Sequence, residues 1–474
     1  MPRSPASPPD EPLLRASATE LVTLLRERKV GAAELLEVVL GRADAITAEV
    51  NPFAVRLDDT ARAAAAESDR RIAAGTARSL EGLPISAKDS QWLAGVPTTS
   101  GSAARAGFVP DRTVGALQRV LDAGAVVFAK TTTTEFCYFA TSTAPGFGVT
   151  ANPHDLTRTA GGSSSGAAAH VAAWAGPLAL GGDGGGSIRI PAAFCGLVGH
   201  KPTFGLVSHE PSGPGWKSLV AVGPIARTVE DAELLMSVLA APDPFDRHSV
   251  GLLPESGAPL RIAVSPDLGY APVDDAVRVA FDNAVAALTA AGVDVVAAAP
   301  QVTSSIATWA TIATAEARWS EAVEFEQYPE LLSEQVRDYL AFGEAISAVS
   351  YVNAQFARER LHAVYAEFFA ATGATALFTP TVGTTAFDGS LHYPARIGGV
   401  PVDEIWRDWA PLLCDANLTG LPATTVPIGA DRAGLPIGGQ LMGPRLSDRR
   451  LLRAAAVLTA ALGSAARTEP ARAI

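Results

Sequence analysis

The sequence predicts an α/β protein, and three observations carry that reading. Short β-branched runs alternate with an amphipathic segment early on, as "LPISAKD", "TVGALQRVLDAG" and "GAVVFAKTTTTEF". The same alternation returns after residue 260, where "RIAVSPD" and "VDVVAAA" flank the helical "DDAVRVAFDNAVAALTAAG". Hydrophobic residues make up 48% and charged residues 18% of the 474, which is ample material for a large core.

In chain order, "MPRSPASPPDEP" is rich in Pro and Ser and predicts a disordered tail over residues 1–14. Ser17 and Glu20 stand in capping-box spacing and start a helix at "SATELVTLLRERKV", and "AAELLEVVLGRADAI" continues with apolar residues at helical intervals. The stretch from Asn152 to Thr203 is dense in glycine, and "APDPFDRHSVGLLPESGAPL" reads as a surface connection. Beyond the second α/β stretch, the segment from "TWATIATAEARW" to "VRDYLAFG" is mainly helical, "ATALFTPTVG" is strand-like, and a last helix begins near Ser447. No internal repeat is present.

Charge and cysteine usage exclude several classes. A net charge of −12 and a pI near 5.1 repel a phosphate backbone, so no nucleic acid is expected as a direct partner. Cys137, Cys195 and Cys414 are far apart and lack Cys-x-x-Cys spacing, which indicates neither a disulfide framework nor a zinc site and fits a reducing cytoplasm. The first residues lack the apolar stretch of a secretory signal, and no run reaches the roughly 18 apolar residues of a spanning helix, so a membrane is not an expected partner.

The chemistry centres on "GGDGGGSIRIPAAFCG", residues 181–196. A serine hydroxyl is a poor nucleophile until a base takes its proton, and the oxyanion that develops needs preorganised donors. Glycines let a carbonyl approach the backbone closely, so the N–H groups of Gly184, Gly185 and Gly186 are candidate oxyanion donors in front of Ser187. Pro191 suits the first turn of a following helix, whose positive end adds to the same field. A flexible linker is the competing reading, but "WAGPLAL" and "IRIPAAFCGLVG" on either side are apolar segments fit for a core. A second serine-rich loop, "AGGSSSGAA", contains Gly162-x-Ser164-x-Gly166, formally a nucleophile elbow, yet the polar "TANPHDLTRT" before it is no elbow strand. His154, His170 and His200 lie near the glycine-rich region in contexts that mark structural histidines, which leaves the base open at this point.

Taken together, "LPISAKDSQWLAGVPTTSGS", "GGSSSGAAAHVAA", "LALGGDGGGSIRIPAAFCGLVGHKPT" and "NLTGLPATTVPIG…GLPIGGQLMGP" resemble the amidase signature family over roughly Ser17 to Leu462. The resemblance implies one large domain over 15–474, with its core motif at 81–205, built as a mixed twisted β-sheet covered on both faces by α-helices. It implies Ser187 as nucleophile, Ser163 as a bridging serine in a cis peptide and Lys88 as base, and the intervals of 75 and 24 residues between them fit the family's pattern. Ser164, Asp183 and Arg189 are implied to orient the loops. No metal or cofactor is implied. A free lysine titrates near ~10.4, so a lysine base must be desolvated to be neutral at ordinary pH.

Two departures from the family pattern are Gly182 and Gly184, which replace side-chain-bearing residues and are expected to leave space around the nucleophile. Within the family the stretch after residue 130 lines the substrate pocket, which nominates Cys137, Tyr138 and Phe139. Their apolar, aromatic character favours aryl or hydrophobic amides, with carbamates or esters sharing the carbonyl geometry. The reading is thus a monomeric or homodimeric serine amidohydrolase of small amides or carbamates. The alternative is the glutaminase subunit of a tRNA-dependent amidotransferase, which works with a partner protein.

Overall fold

Most of the central strands are buried at every residue, which shows that the sheet is covered on both faces. The computed structural model describes residues 11–211, 215–255, 257–402 and 409–466. Eleven of its strands form the main sheet: β1 Phe53–Arg56, β2 Pro84–Lys88, β3 Val126–Thr131, β4 Leu178–Asp183, β5 Val198–Lys201, β6 Ala221–Ala226, β7 Arg261–Val264, β8 Asp294–Ala297, β9 Ala376–Pro380, β10 Ala423–Ala430 and β11 Pro436–Met442. Their spatial order is β1-β3-β2-β4-β6-β5-β10-β11-β9-β7-β8. The sheet is mixed. β2 runs parallel to both β3 and β4, and β7 runs parallel to β8 and β9, while the central strands pair antiparallel.

Successive strand residues point to opposite faces. In β4, Leu178 and Leu180 join the core that includes Leu235 and Leu239 of the helix Val229–Leu239, whereas Ala179 between them packs with Ala168 and Ala169 of the helix Ser165–Ala172. The expected mixed sheet with two covered faces is therefore present. Among the described residues no helix is long and apolar enough to cross a membrane.

The capping box forms as expected: the Glu20 N–H donates to Ser17 Oγ at 3.1 Å and the Ser17 N–H to Glu20 Oε2 at 2.8 Å. Residues 11–14, expected to belong to a disordered tail, are instead helical. Glu11–Arg15 forms a helical turn closed by an Arg15–Glu11 ion pair of 2.8 Å, and residues 1–10 lie outside the described residues. The helix Ala348–Thr372 was not foreseen. Its apolar residues lie all round: Tyr365, Phe368 and Phe369 are buried while Val349, Val352 and Phe356 face solvent, so the sequence shows no single stripe.

The parallel pairing of β2 with β4 positions the site. Ala87 lies opposite Leu180, so the carboxyl ends of the two strands, carrying Lys88 and Asp183, open at the same edge.

Candidate active site

Lys88 is buried at the end of β2, and its Nζ lies 2.7 Å from Ser163 Oγ and 3.4 Å from the Gly182 carbonyl oxygen. Burial lowers its pKa, while the Cys137 sulfur and the Asp183 carboxylate push it back up. Two other buried lysines sharpen the contrast. Lys130 has a carboxylate partner, Asp89, at 3.0 Å, and Lys201 donates to the Pro202 carbonyl at 2.9 Å. Lys88 has no carboxylate ion pair among the described residues and meets the hydroxyl of Ser163, the arrangement a neutral amine needs to take a proton.

Ser163 follows a cis peptide from Gly162, as the family pattern implies. Position 162 admits only glycine, because a β-carbon there would stand 1.9 Å from the Thr141 carbonyl oxygen. Next to it, Ser164 joins the two loops: its N–H donates to the Ser187 carbonyl at 3.1 Å and its Oγ to the Gly182 carbonyl at 3.3 Å. Ser164 is thereby tied into the scaffold. The segment before it, expected to hold no strand, does form one at Asp155–Thr159. This strand pairs with Ala151–Asn152 outside the main sheet and ends short of the helix Ser165–Ala172, so it is not the sheet strand of an elbow.

Asp183 organises the turn that carries Ser187. Its Oδ1 accepts the Gly186 N–H at 2.7 Å, and its Oδ2 accepts the N–H groups of Ile188 at 3.2 Å and Arg189 at 3.4 Å. Arg189 grips both oxygens, with Nε to Oδ2 and Nη2 to Oδ1 each at 2.9 Å. Asn417 and Gln440 hold the guanidinium from its far side, each at 2.6 Å. Burial alone would raise the Asp183 pKa, but the charge and hydrogen bonds of Arg189, with Lys201 and Asn417, together outweigh it and hold the carboxyl well below the usual range. Pro191 lies in the first turn of the helix Arg189–Phe194, as expected.

These bonds revise the expected oxyanion donors. Gly186 is withdrawn, because its N–H is already committed to Asp183. The N–H groups of Gly184, Gly185 and Ser187 have no acceptor among the described residues. Ser187 is 8% exposed and lines a cleft together with Lys88, Ser163, Gly182 and Gly184.

The expected space beside the nucleophile is only partly there. A β-carbon on Gly182 would meet nothing nearer than 3.7 Å, but one on Gly184 would stand 2.3 Å from the Trp216 ring. Trp309 seals the next position: its Nε1 donates to the Gly184 carbonyl at 2.8 Å, and a β-carbon on Gly185 would lie 2.7 Å from its ring.

Cys137 and Tyr138 line the cleft; Phe139 does not, because its ring packs edge-on against Tyr339 at 6.4 Å, and Phe136 lines the wall instead. The Tyr138 ring stacks against both Trp216 at 5.3 Å and Tyr339 at 4.8 Å, which also meet each other at 6.4 Å, and its hydroxyl donates to Glu321 at 2.9 Å. Glu321 pairs in turn with Arg105, which also reaches Glu324 at 2.6 Å. Gln91, Trp216, Trp309, Arg105 and Glu321 lay outside the sequence reading. Of these, Gln91 alone stands within a quoted motif, and the others arrive only through tertiary packing.

The histidines are structural, as their contexts suggested. His170 contacts Ser86 Oγ at 2.6 Å and the Ala175 carbonyl at 3.0 Å, and burial lowers its pKa to about 3. His200 sits between Thr424 and Asp448, and His154 meets the Cys195 carbonyl at 3.1 Å.

Comparison with known proteins agrees with this geometry. The family model described as Amidase matches residues 34–452. Among curated proteins, the A-type subunit of the glutamyl-tRNA(Gln) amidotransferase from Acidothermus cellulolyticus is 34% identical, with 95% of each chain covered. Its counterpart from a Picosynechococcus is also 34% identical, covering 90% of this chain and 94% of its own. Among solved structures, an amidase is 30% identical with a TM-score of 0.85, covering 94% of this chain and 100% of its own. A bacterial aryl acylamidase is 25% identical with a TM-score of 0.87, covering 95% and 97%. The chain belongs to the amidase signature family, hydrolases that act on carbon–nitrogen bonds.

Proposed function

We propose that the chain is a serine amidohydrolase that cleaves small hydrophobic or aryl amides, and carbamates of the same shape, through an acyl-enzyme on Ser187. The observation that carries this reading is the 2.7 Å contact between Lys88 Nζ and Ser163 Oγ in the cleft that Ser187 lines. Neutral Lys88 accepts a proton through Ser163 as Ser187 Oγ attacks the carbonyl. The N–H groups of Gly184, Gly185 and Ser187 receive the oxyanion. Ser163 then returns the proton to the departing amine, and water enters by the same route to release the acid. Asp183 and Arg189 act one step back, by fixing the turn. No metal or cofactor takes part, and the protein works in the cytoplasm as a monomer or homodimer.

The aromatic wall of Phe136, Tyr138 and Trp216 supports the hydrophobic substrate class. A second reading is favoured by the curated relatives, which are amidotransferase subunits: a glutaminase that serves a partner protein. Free glutamine needs charged groups for its α-ammonium and α-carboxylate, and in this cleft Arg105 and Glu321 are spent on each other.

The test is turnover by the purified chain of an aryl anilide, an aryl carbamate, a primary aliphatic amide and glutamine, each beside Ser187→Ala. Cleavage of the anilide or carbamate that vanishes in the variant supports the free-standing hydrolase. Hydrolysis of glutamine alone, raised by a partner protein, supports the second reading.

A further inference from the structure

The three N–H groups left without an acceptor around the nucleophile, those of Gly184, Gly185 and Ser187, have one feature in common: each belongs to a peptide whose carbonyl is held. The Asp183 carbonyl accepts Asn417 Nδ2 at 2.9 Å, the Gly184 carbonyl accepts Trp309 Nε1 at 2.8 Å, and the Gly186 carbonyl accepts the Ile190 N–H at 2.7 Å. None of these three peptides is cis. In a planar trans peptide the N–H points away from the C=O, so a donor that fixes the carbonyl also aims the N–H on the opposite side.

Two of the three holders have other work. Asn417 also bonds Arg189 and Asp183 Oδ1, and the Ile190 bond closes the turn that opens the helix Arg189–Phe194. Trp309 comes instead from the distant helix Ile306–Ser320 and stands behind the turn: the cleft is lined by Gly184 and Ser187, and the indole is no part of its wall. The indole is itself firmly placed. It is 6% exposed, it meets Trp216 edge-on, and Ser305, one helical turn earlier, donates its hydroxyl to buried Asp415. Asp415 shares the short helix Cys414–Thr419 with Asn417, so one element braces two of the three peptides.

We propose that Trp309 is a positioning residue of the reaction: its indole N–H holds the Gly184 carbonyl and thereby aims the Gly185 N–H at the substrate's carbonyl oxygen as negative charge develops there. The inference rests on the hydrolase reading above and gives one of its oxyanion donors a support 125 residues away in sequence. A donor preorganised in this way favours the transition state over the bound substrate, so its loss lowers kcat and leaves KM in place.

The experiment replaces Trp309 with Phe and, by site-specific incorporation, with 3-benzothienylalanine, which keeps the bicyclic shape and puts sulfur where the N–H stood. Wild type and both variants are assayed on an aryl anilide, an aryl ester and the matching thionoester, whose carbonyl carries sulfur. The variants are expected to lower kcat for the anilide by about 10-fold or more, with KM within about threefold. Sulfur is larger and a weaker acceptor, so it gains less from donors set for oxygen. The ratio of kcat/KM for ester over thionoester is therefore expected to fall by about fivefold or more, whereas a merely structural loss lowers both alike. If the Phe variant fails to fold, the isosteric variant decides. The inference is overturned if that variant leaves kcat unchanged, raises KM alone, or lowers ester and thionoester equally. Cleavage of none of the three substrates by the wild type sinks the hydrolase reading itself, and the role of Trp309 with it.

Discussion

Trp216 occupies the volume that a side chain on Gly184 would need, its Cε3 lying 2.3 Å from the position of such a β-carbon. The ring has little room to retreat, since it stacks on Tyr138 at 5.3 Å and meets Trp309 edge-on at 5.1 Å. Glycine at this position therefore admits an aromatic wall beside the proposed oxyanion donors, where the sequence alone had suggested open space.

Gly184→Ala is expected to cost about 1–3 kcal/mol of stability by overpacking and to lower kcat/KM for an aryl amide. Adding Trp216→Leu should restore part of the stability and leave the aryl preference lost. Thermal melts and kinetics on both variants check this, and an unchanged single variant would contradict it.

Arg189→Met leaves the Asp183 carboxylate buried without its charge partner. Breaking such a pair costs about 3–5 kcal/mol, and the turn carrying Ser187 loses its support with it. The expected result is a lower denaturation midpoint together with loss of amide turnover. Arg189→Lys should rescue neither, because one ammonium cannot grip both Asp183 oxygens or reach Asn417 and Gln440 at once.

The pH dependence of kcat/KM follows from Lys88. Desolvation lowers its pKa below 10.5, and the base works only when neutral, so activity rises as pH climbs through that lowered value. The Cys137 sulfur acts against the burial effect by favouring the protonated amine. Cys137→Ala should therefore move the acid limb of the profile to lower pH. A limb that stays in place or moves upward would contradict this influence of Cys137 on Lys88.

Tyr138→Phe removes the hydroxyl that donates to buried Glu321 at 2.9 Å but keeps the stacked ring. A hydrogen bond to a charged group is worth about 1.5–3 kcal/mol, so the variant should melt earlier while retaining its preference for aryl over aliphatic amides. Loss of that preference would move substrate recognition from the ring to the hydroxyl.

That Lys88, Ser163, Ser187, Asp183 and Arg189 come together was legible because a long motif carries them on loops that short bonds hold together. Of the strands around them, β2 and β3 were legible from their β-branched runs, whereas β4, which carries Asp183, has no β-branched residue and read only as an apolar segment. What the sequence hid arises from contacts between distant segments. Arg105 meets Glu321, 216 residues away, and Trp309 reaches the Gly184 carbonyl across 125, so no spacing rule announces either. Gly186 was misassigned because three adjacent glycines look alike in sequence, and only the Asp183 side chain singles one out. Phe139 was misassigned because the left-handed backbone at Phe136 and Cys137 redirects the segment and turns Phe136 to the cleft instead.

The central claim is that Ser187 carries the acyl group. The most direct test is to trap the enzyme with a slowly released aryl carbamate and locate the adduct by intact mass and peptide mapping. The account predicts one carbamoyl group on Ser187, absent from Ser187→Ala and slow to form in Lys88→Ala. An adduct on Cys137 or Ser163, or undiminished turnover by Ser187→Ala, would contradict it.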